Sequence, residues 1–406
     1  MSFEIALSAV NAINSQLDTI SNNIANSGTY GFKSSRANFS AMYSGSQANG
    51  AEVSSTTQSI EAGGGLLNTG RGMDAMIQGR GFFAVKDASG SQVYTRVGIF
   101  NVDKSGYVVD SLGRKVQGYA AVLDAAGKPI DGAGLGALGD LKLPPAQIGA
   151  QASDKLQFNG NLSRDWSVPA TTPFSMNDPT SFNSSVTSVV YDSLGSKHSI
   201  TQYFVKQAAP ANTVGVQYSF DGGTPTAGPT LTFDANGNLP TPAPTGTVAV
   251  AAAAMNGAAA LSITVQYAAT TQYGGDTTTL TNAANGNAAG THTGTAIGED
   301  GSIVATYSNG QKQTVGTIAL ATFANEGALA AVSDTSWSAN DATGAALFAQ
   351  PGSSLASQLS TGAIEQSNVD LTGELVSLMS AQRNYQANTK VISAESEMIQ
   401  NLMQAV

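Results

Sequence analysis

The two ends of this 406-residue chain carry the patterns that most restrict its fold. Phe3, Ala6, Val10, Ile13, Leu17, Ile20 and Ile24 alternate spacings of three and four without a break, the a/d seam of a coiled-coil helix. At the far end Leu371, Leu378, Tyr385, Ile392, Ile399 and Val406 fall on one seven-residue row. Leu375 and Met403 open and close a companion row diluted by Gln382, Thr389 and Ser396. A narrow apolar stripe cannot be left in water, so the simplest arrangement pairs the first helix with the last and inserts everything else between them. The polar face of the first helix is unlike that of a free coiled coil. Its only charges are Glu4 and Asp18, and the rest is Ser, Asn, Gln and Thr. Such a face expects neighbours or a passage for other chains; the plainer reading is a helical hairpin packed on the chain's own core.

Composition sets the class of what lies between. With 45 Gly and only 11% charged residues, many short strands and turns in more than one domain are expected rather than a large helical enzyme. A net charge of -10 supplies no basic stripe for nucleic acid or an anionic membrane. The absence of cysteine removes disulfides, thiolate metal sites and cysteine nucleophiles together, and suits a protein working outside the cell without oxidative folding. The longest apolar run, Val248 to Leu261, is short and broken by Asn256 and Gly257, so no membrane insertion is expected. The N-terminus has neither a basic segment nor a continuous apolar core, so export would proceed without a cleaved signal peptide.

The first helix is expected to stop at Asn26-Ser27-Gly28, with glycine taking the left-handed cap. The string around this stop, NNIANSGTYGFK at residues 22–33, resembles the N-terminal signature of the rod and hook family of bacterial flagellar axial proteins. The residues that carry it are Asn23, Ile24, Ala25, Asn26, Gly31, Phe32 and Lys33. Residues 78–119, from QGRGFFAV to GRKVQGY, and the block EDGSIVATYSNGQKQTVGTIALATFANEGAL, which starts at Glu299, resemble the same family. So does the lead-in to the last helix, residues 362–370, where Ser367, Asn368, Val369 and Asp370 match and Ser367 and Asp370 stand at capping-box spacing. Within the family, VVYDSLGSKHSITQYFVK and LTFDANGNL are similar to the outer domain of hook members, a region rod members lack. One departure is Asn325-Glu326-Gly327, where relatives often place Asn-Pro.

Between these landmarks the strands read directly. Phe82 to Val85, Gln92 to Val97, Tyr107 to Val109, Val186 to Asp192 and His198 to Lys206 hold β-branched and aromatic residues between close turn signals. Asp87–Gly90, Asp103–Gly106, Asp110–Gly113 and Asp124–Gly127 repeat one turn, with a carboxylate to accept backbone N–H and a glycine to close it. One carboxylate per turn is too few for calcium. The fold class expected is a mainly β multi-domain chain, with β-rich inner and outer domains inserted in series and N- and C-terminal helices forming a coiled-coil domain. Residues 1–27 and 364–406 would form the helical domain, 28–70 and 350–363 an extended connector, 71–146 and 295–349 a β-rich middle domain, and 147–294 an outer one. Lys206 to Lys312 encloses no Lys or Arg, and a stretch so rich in Ala, Thr, Gly, Asn and Pro is expected to build no large core. Its run Ala251 to Ala254 fits a short helix or a buried strand.

No catalytic constellation emerges: of the two histidines, His198 sits in a polar alternating strand and His292 in a Thr/Gly loop, neither with a metal or triad partner nearby in sequence. No cofactor or metal is expected. The resemblance implies a structural subunit that polymerises with itself into a short curved tube transmitting torque while bending, extracellular and part of the flagellum. It implies as further partners the distal rod protein, the hook cap, the hook–filament junction protein and the flagellar type III export apparatus. The self-assembly surface would use Phe3, Val10, Ile13, Leu17, Ile20, Ile24, Leu371, Leu375, Leu378, Tyr385, Ile392 and Ile399. The alternatives are another rod or hook-associated axial protein and, from a different class, a secreted β-rich adhesin.

Overall fold

The computed structural model describes residues 2–44, 47–123, 130, 134–354 and 356–405. The turn expected at Asp124–Gly127 and the seam position Val406 lie outside the described residues. The chain is mainly β with one long helix at each end, α1 at Ser2–Ala25 and α2 at Leu371–Ala405. It divides into two compact units, the first made of residues 1–144, 294–305 and 312–406 and the second of residues 145–293 and 306–311.

In the first unit the strand Phe82–Lys86 pairs antiparallel with Gln92–Thr95, Lys115–Ala120 and Leu320–Thr322. Phe82, Phe83, Ala84 and Val85 are all fully buried, so this strand is covered on both faces. On one face Phe82 meets Trp337 edge to face at 5.5 Å and Tyr94 meets Phe323 at 4.8 Å; on the other Phe83 meets Phe100 at 5.0 Å. The repeated turns do what their sequence demands. Oδ1 of Asp87, Asp103 and Asp110 each accepts two backbone N–H groups at 2.8–2.9 Å, and Gly90, Gly106 and Gly113 close them with φ of 89°, 84° and 81°.

Two expectations in this unit are corrected. Residues 34–70 are more than a connector: Ser35–Ser44 (β1) and Gln47–Gln58 (β2) form an antiparallel hairpin, and Leu66–Asn68 pairs with Ala363–Glu365. The hairpin lies along α1, held at its far end where the Ala51 N–H donates to Ser8 Oγ, and at its base where Trp337 Nε1 donates to Gln58 Oε1 at 2.8 Å. Polar alternation with few large side chains hid these strands, because they lie against α1 without a core of their own: no described side chain in them is buried, and Phe39 and Tyr43 stay 46% and 67% exposed. The stop of α1 also differs. The helix ends at Ala25, and the glycine in the left-handed region is Gly31 at φ 68°, three residues after the expected Gly28.

The second unit holds two four-stranded sheets. One orders Thr245–Val250, Leu261–Gln266, Lys155–Asn161 and Thr278–Ala284; the other orders Ser184–Tyr191, Lys197–Lys206, Thr213–Phe220 and Thr226–Thr232. Both contribute to one core, and here the expectation that the stretch between Lys206 and Lys312 builds no large core is overturned. Val214, Val216, Tyr218, Leu231, Phe233, Val248, Leu261, Ile263, Val265 and Tyr267 are all buried in it. Period-two alternation at 214, 216, 218 and at 263, 265, 267 carried this signal beneath a polar average composition. Buried hydroxyls are satisfied in series: Tyr218 and Tyr267 share a hydrogen bond at 3.0 Å, and Tyr267 donates to Gln202 Oε1 at 2.7 Å. Burial pushes the Tyr218 phenol up to about 12. The alanine run resolves as a 3-10 turn at Ala252–Ala254, exposed.

Close backbone approach makes one glycine of the first unit indispensable. A Cβ on Gly98 would lie 1.7 Å from the Ala75 carbonyl oxygen and 2.9 Å from the Phe83 ring. Gly98→Ala is expected to destabilise the first unit by about 1–3 kcal/mol, the usual range for overpacking, measured by guanidinium denaturation of the full chain.

Candidate functional site

The residues singled out by the signature at the end of α1 and the lead-in to α2 come together at one place. Gly31 N–H donates to the Glu365 carbonyl at 2.9 Å, and Asn368 N–H to that of Phe32 at 3.3 Å, so the two segments run side by side. A Cβ on Gly31 would lie 3.0 Å from Val97 Cγ2, which adds a steric reason for glycine to its positive φ. Asn23, 1% exposed, works as a bracket. Its Oδ1 accepts the Ser35 N–H at 2.9 Å, and its Nδ2 donates to the Ser35 carbonyl at 2.7 Å and to Glu374 Oε1 at 2.8 Å on α2. Asn368 does the same from the other side, accepting from Ser34 N–H at 2.7 Å and donating to the carbonyls of Ser59 and Ala62.

At the centre lies a charge cluster with no access to water. Lys33 Nζ is 2.6 Å from Glu365 Oε1 and 2.6 Å from the Ala62 carbonyl; Glu365 Oε1 also accepts the Gly64 N–H, and Arg96 Nη1 lies 3.5 Å from Glu365 Oε2. The side chains of all three are fully buried. The Arg96 guanidinium also stands over the Phe82 ring at 5.2 Å, linking the cluster to the sheet core. Burial lowers the pKa of Lys33, and the charge and hydrogen bond of Glu365 oppose that drop. Lys33 was legible in the signature. Glu365 and Arg96 were not singled out, although a buried lysine requires an acid, and both lie in strings that matched the family.

Because α1 ends and α2 begins at this cluster, the helices run antiparallel from it. Ile13, Ile20 and Ala381 form their buried centre, with Leu17, Ile24, Leu378 and Tyr385 packed around them. Val10 is buried and Ile392 half-buried, as the seams predict. The companion row on α2 is displaced by one residue. Leu375, Gln382 and Ser396 are exposed, while the inward positions are Glu374, Ala381 and Asn388. Asn23 fixes Glu374 inward, and the small Ala381 admits Ile13 and Ile20, which sets the rotation of α2 about its axis. Phe3, Leu371 and Ile399 are 39%, 45% and 50% exposed, so these expected seam positions lie outside the intramolecular pair. The capping box is likewise corrected: Asp370 itself caps α2, accepting the Thr372 N–H at 3.1 Å, while Ser367 Oγ accepts from Val369. Ala25 is exposed, and Asn26, Phe32 and Val369 half-buried.

Four family models match in chain order: "Flagella basal body rod protein" at residues 3–33, "Flagellar hook protein FlgE/F/G D1 domain" at 76–154, "Flagellar basal body protein FlaE D2 domain" at 161–287 and "Flagellar basal body rod FlgEFG protein C-terminal" at 360–405. Flagellar hook protein FlgE of Salmonella typhimurium is 38% identical, with 99% of each chain covered. That of Escherichia coli K12 is 36% identical over 99% of each. The chain belongs to the flagellar hook protein FlgE family.

A more distant hook protein, FlgE of Brucella suis, is 30% identical over 98% of this chain and 96% of its own. The solved hook protein FlgE2 of Helicobacter pylori shares the fold at 13% identity, with a TM-score of 0.50 over 67% of this chain and 93% of that one. The hook relatives align through the outer region by which the sequence separated hook from rod, so the chain is a hook subunit and a structural protein of the flagellum. Among the described residues no group of three His, Cys, Asp or Glu side chains is placed to hold a metal ion. Among the described residues no helix is long and apolar enough to cross a membrane.

The buried cluster yields a direct test. Glu365→Ala leaves two cations without their carboxylate and is expected to cost the first unit about 3–5 kcal/mol. The exposed control Glu299→Ala should change it by less than about 0.5 kcal/mol. Guanidinium unfolding followed by Trp337 fluorescence in a Trp166→Phe background reads the first unit alone.

Proposed function

We propose that this hook subunit polymerises through the surfaces α1 and α2 leave uncovered, building a curved tube that works as a universal joint between rod and filament. The observation that carries the reading is the apolar surface of α2 that its partner helix does not reach. Leu371, Leu375, Val376 and Met379 in its first turns are 45–54% exposed, and Met398, Ile399 and Met403 near its end are 50–73% exposed. At 1.5 Å per residue α1 measures about 36 Å and α2 about 52 Å, so the last turns of α2 extend beyond the pair. Each large side chain buried by a neighbour would contribute about 1.5–3 kcal/mol, enough in sum to offset the entropy of assembly.

The opposite face of α1 suits the inside of that tube. Asn11, Asn14, Ser15, Asp18, Ser21 and Asn22 are all exposed, a neutral and weakly acidic wall that offers little for an unfolded chain in transit to adhere to. The stiff inner layer would be the helix pair and its buried cluster, and the small polar β surfaces would slide, because hydrated contacts without large anchors exchange at low cost. The division into helical domain, connector, middle domain and outer domain belongs to this reading. So do export without a cleaved signal and contacts with the distal rod protein, the hook cap, the hook–filament junction protein and the type III export apparatus.

Leu375→Asp, on the uncovered face, is expected to leave monomer unfolding unchanged within about 0.5 kcal/mol while abolishing tube formation. Leu17→Asp, packed in the pair, should lose both. Electron microscopy of cells carrying each variant, with immunogold against residues 147–294, checks this. Gold on curved hooks of normal length in Leu375→Asp cells would sink the proposal.

A further inference from the structure

His198, on the strand Lys197–Lys206 of the second unit, faces a carboxylate at each ring nitrogen. Nδ1 lies 2.6 Å from Asp221 Oδ2, and Nε2 lies 3.4 Å from Asp192 Oδ2. The sequence reading gave this histidine no partner. A tight turn at residues 192–196 folds Asp192 back onto it, and Asp221 arrives at the end of the adjoining strand Thr213–Phe220. The other oxygen of each carboxylate is already engaged. Asp192 Oδ1 accepts the N–H groups of Leu194 and Ser196 at 2.9 and 2.8 Å, and Asp221 Oδ1 accepts Ser199 N–H at 2.7 Å and Oγ–H at 3.2 Å. Phe220 stacks on the imidazole at 5.1 Å, which fixes the ring plane so that both edges meet oxygen.

The geometry is that of a proton and not of a metal, since the two carboxylates stand at opposite edges of the ring and do not converge on one point. A neutral imidazole has a single N–H and can donate to one of them only; the imidazolium donates to both. We propose that His198 is a proton-operated clasp: charged, it ties the turn 192–196 to the end of the strand Thr213–Phe220; neutral, it keeps Asp221 and releases the Asp192 side.

The charged groups that face the ring are these two carboxylates, while Val190 opposite it and the stacked Phe220 bring no charge. Burial acts to lower the histidine's pKa, but the hydrogen bonds and charges of Asp221 and Asp192 outweigh it and hold the group above its ordinary 6.5. The stabilisation is therefore complete below pH 6.5 and is lost as pH rises through the raised value. The turn is placed to transmit its release. A Cβ on Gly195 would lie 2.9 Å from Ala150 Cβ and 3.3 Å from Ala288 Cα, and Ser193 Oγ accepts the Ala259 N–H at 2.9 Å. Residues 150 and 288 stand near the points where the chain enters and leaves the second unit, so the clasp would set the stiffness of that end with ambient pH.

The test is a titration of the full-length monomer by nitrogen-15 NMR between about pH 5 and 9, with His198 assigned by comparison with His292→Gln. Expected are a His198 midpoint above 6.5, an Nδ1–H neutral tautomer, and backbone amide shifts at Leu194 and Ser196 that follow the same midpoint. Asp221→Asn should lower the midpoint, and Asp192→Asn, which keeps an oxygen for the turn, should uncouple the two amides from it. A midpoint at or below 6.5, amides that do not move with His198, or coupling that survives Asp192→Asn overturns the proposal.

Discussion

Everything at the base of the two helices depends on removing one carboxylate and two cations from water together. Glu365 is the only acid in contact with both Lys33 and Arg96 among the described residues, and each of the three would be strongly unfavourable alone. Because the three come from the segment after α1, the sheet strand region and the segment before α2, the cluster forms only when distant parts of the chain have met. Such a group adds little net stability over an apolar core, but it rejects wrong registers severely. A one-residue slip in either segment would leave a buried charge without its partner.

That rejection is what an assembling subunit needs. Two helices with short apolar seams could pair in several registers, since Leu, Ile and Ala interchange with small penalty. Asn23, Asn368 and Glu365 act on backbone groups and on α2, so they fix where each helix leaves the base and which way it is turned. The displaced companion row on α2 is the visible consequence, with Ala381 inward and Leu375 outward. Which face of α2 stays uncovered is thereby set by polar contacts at the base, while apolar contacts along the pair provide adhesion.

The second unit is held by different means. Its core is aliphatic and aromatic between two sheets, its buried hydroxyls satisfy each other, and its turns are closed by Asp and Gly. Its tolerance of a Thr-, Ala- and Gly-rich surface follows from that separation: the inward positions of each strand fix the fold, leaving the outward ones free.

Much of this could be read without coordinates. The helices at both ends declared themselves by spacing, the Asp-to-Gly turns by the chemistry of one carboxylate and one glycine, and the signature around Lys33 by resemblance, since all are local. What escaped was set by distance in the chain. The hairpin Ser35–Gln58 lies along α1 with no buried side chain among its described residues and so shows no core pattern of its own, and the outer core was masked by averaging over its polar faces. Lys33 could be named as important, but its partner lies 332 residues away, and no local pattern tells which of 28 acids will be buried beside it. Sequence alone determined the periodicities, the turns and the family. Only the tertiary structure decided which face of each helix is spent inside the subunit and which is left uncovered, because that choice rests on polar and charged contacts at the base whose pairing exists nowhere but in the folded chain.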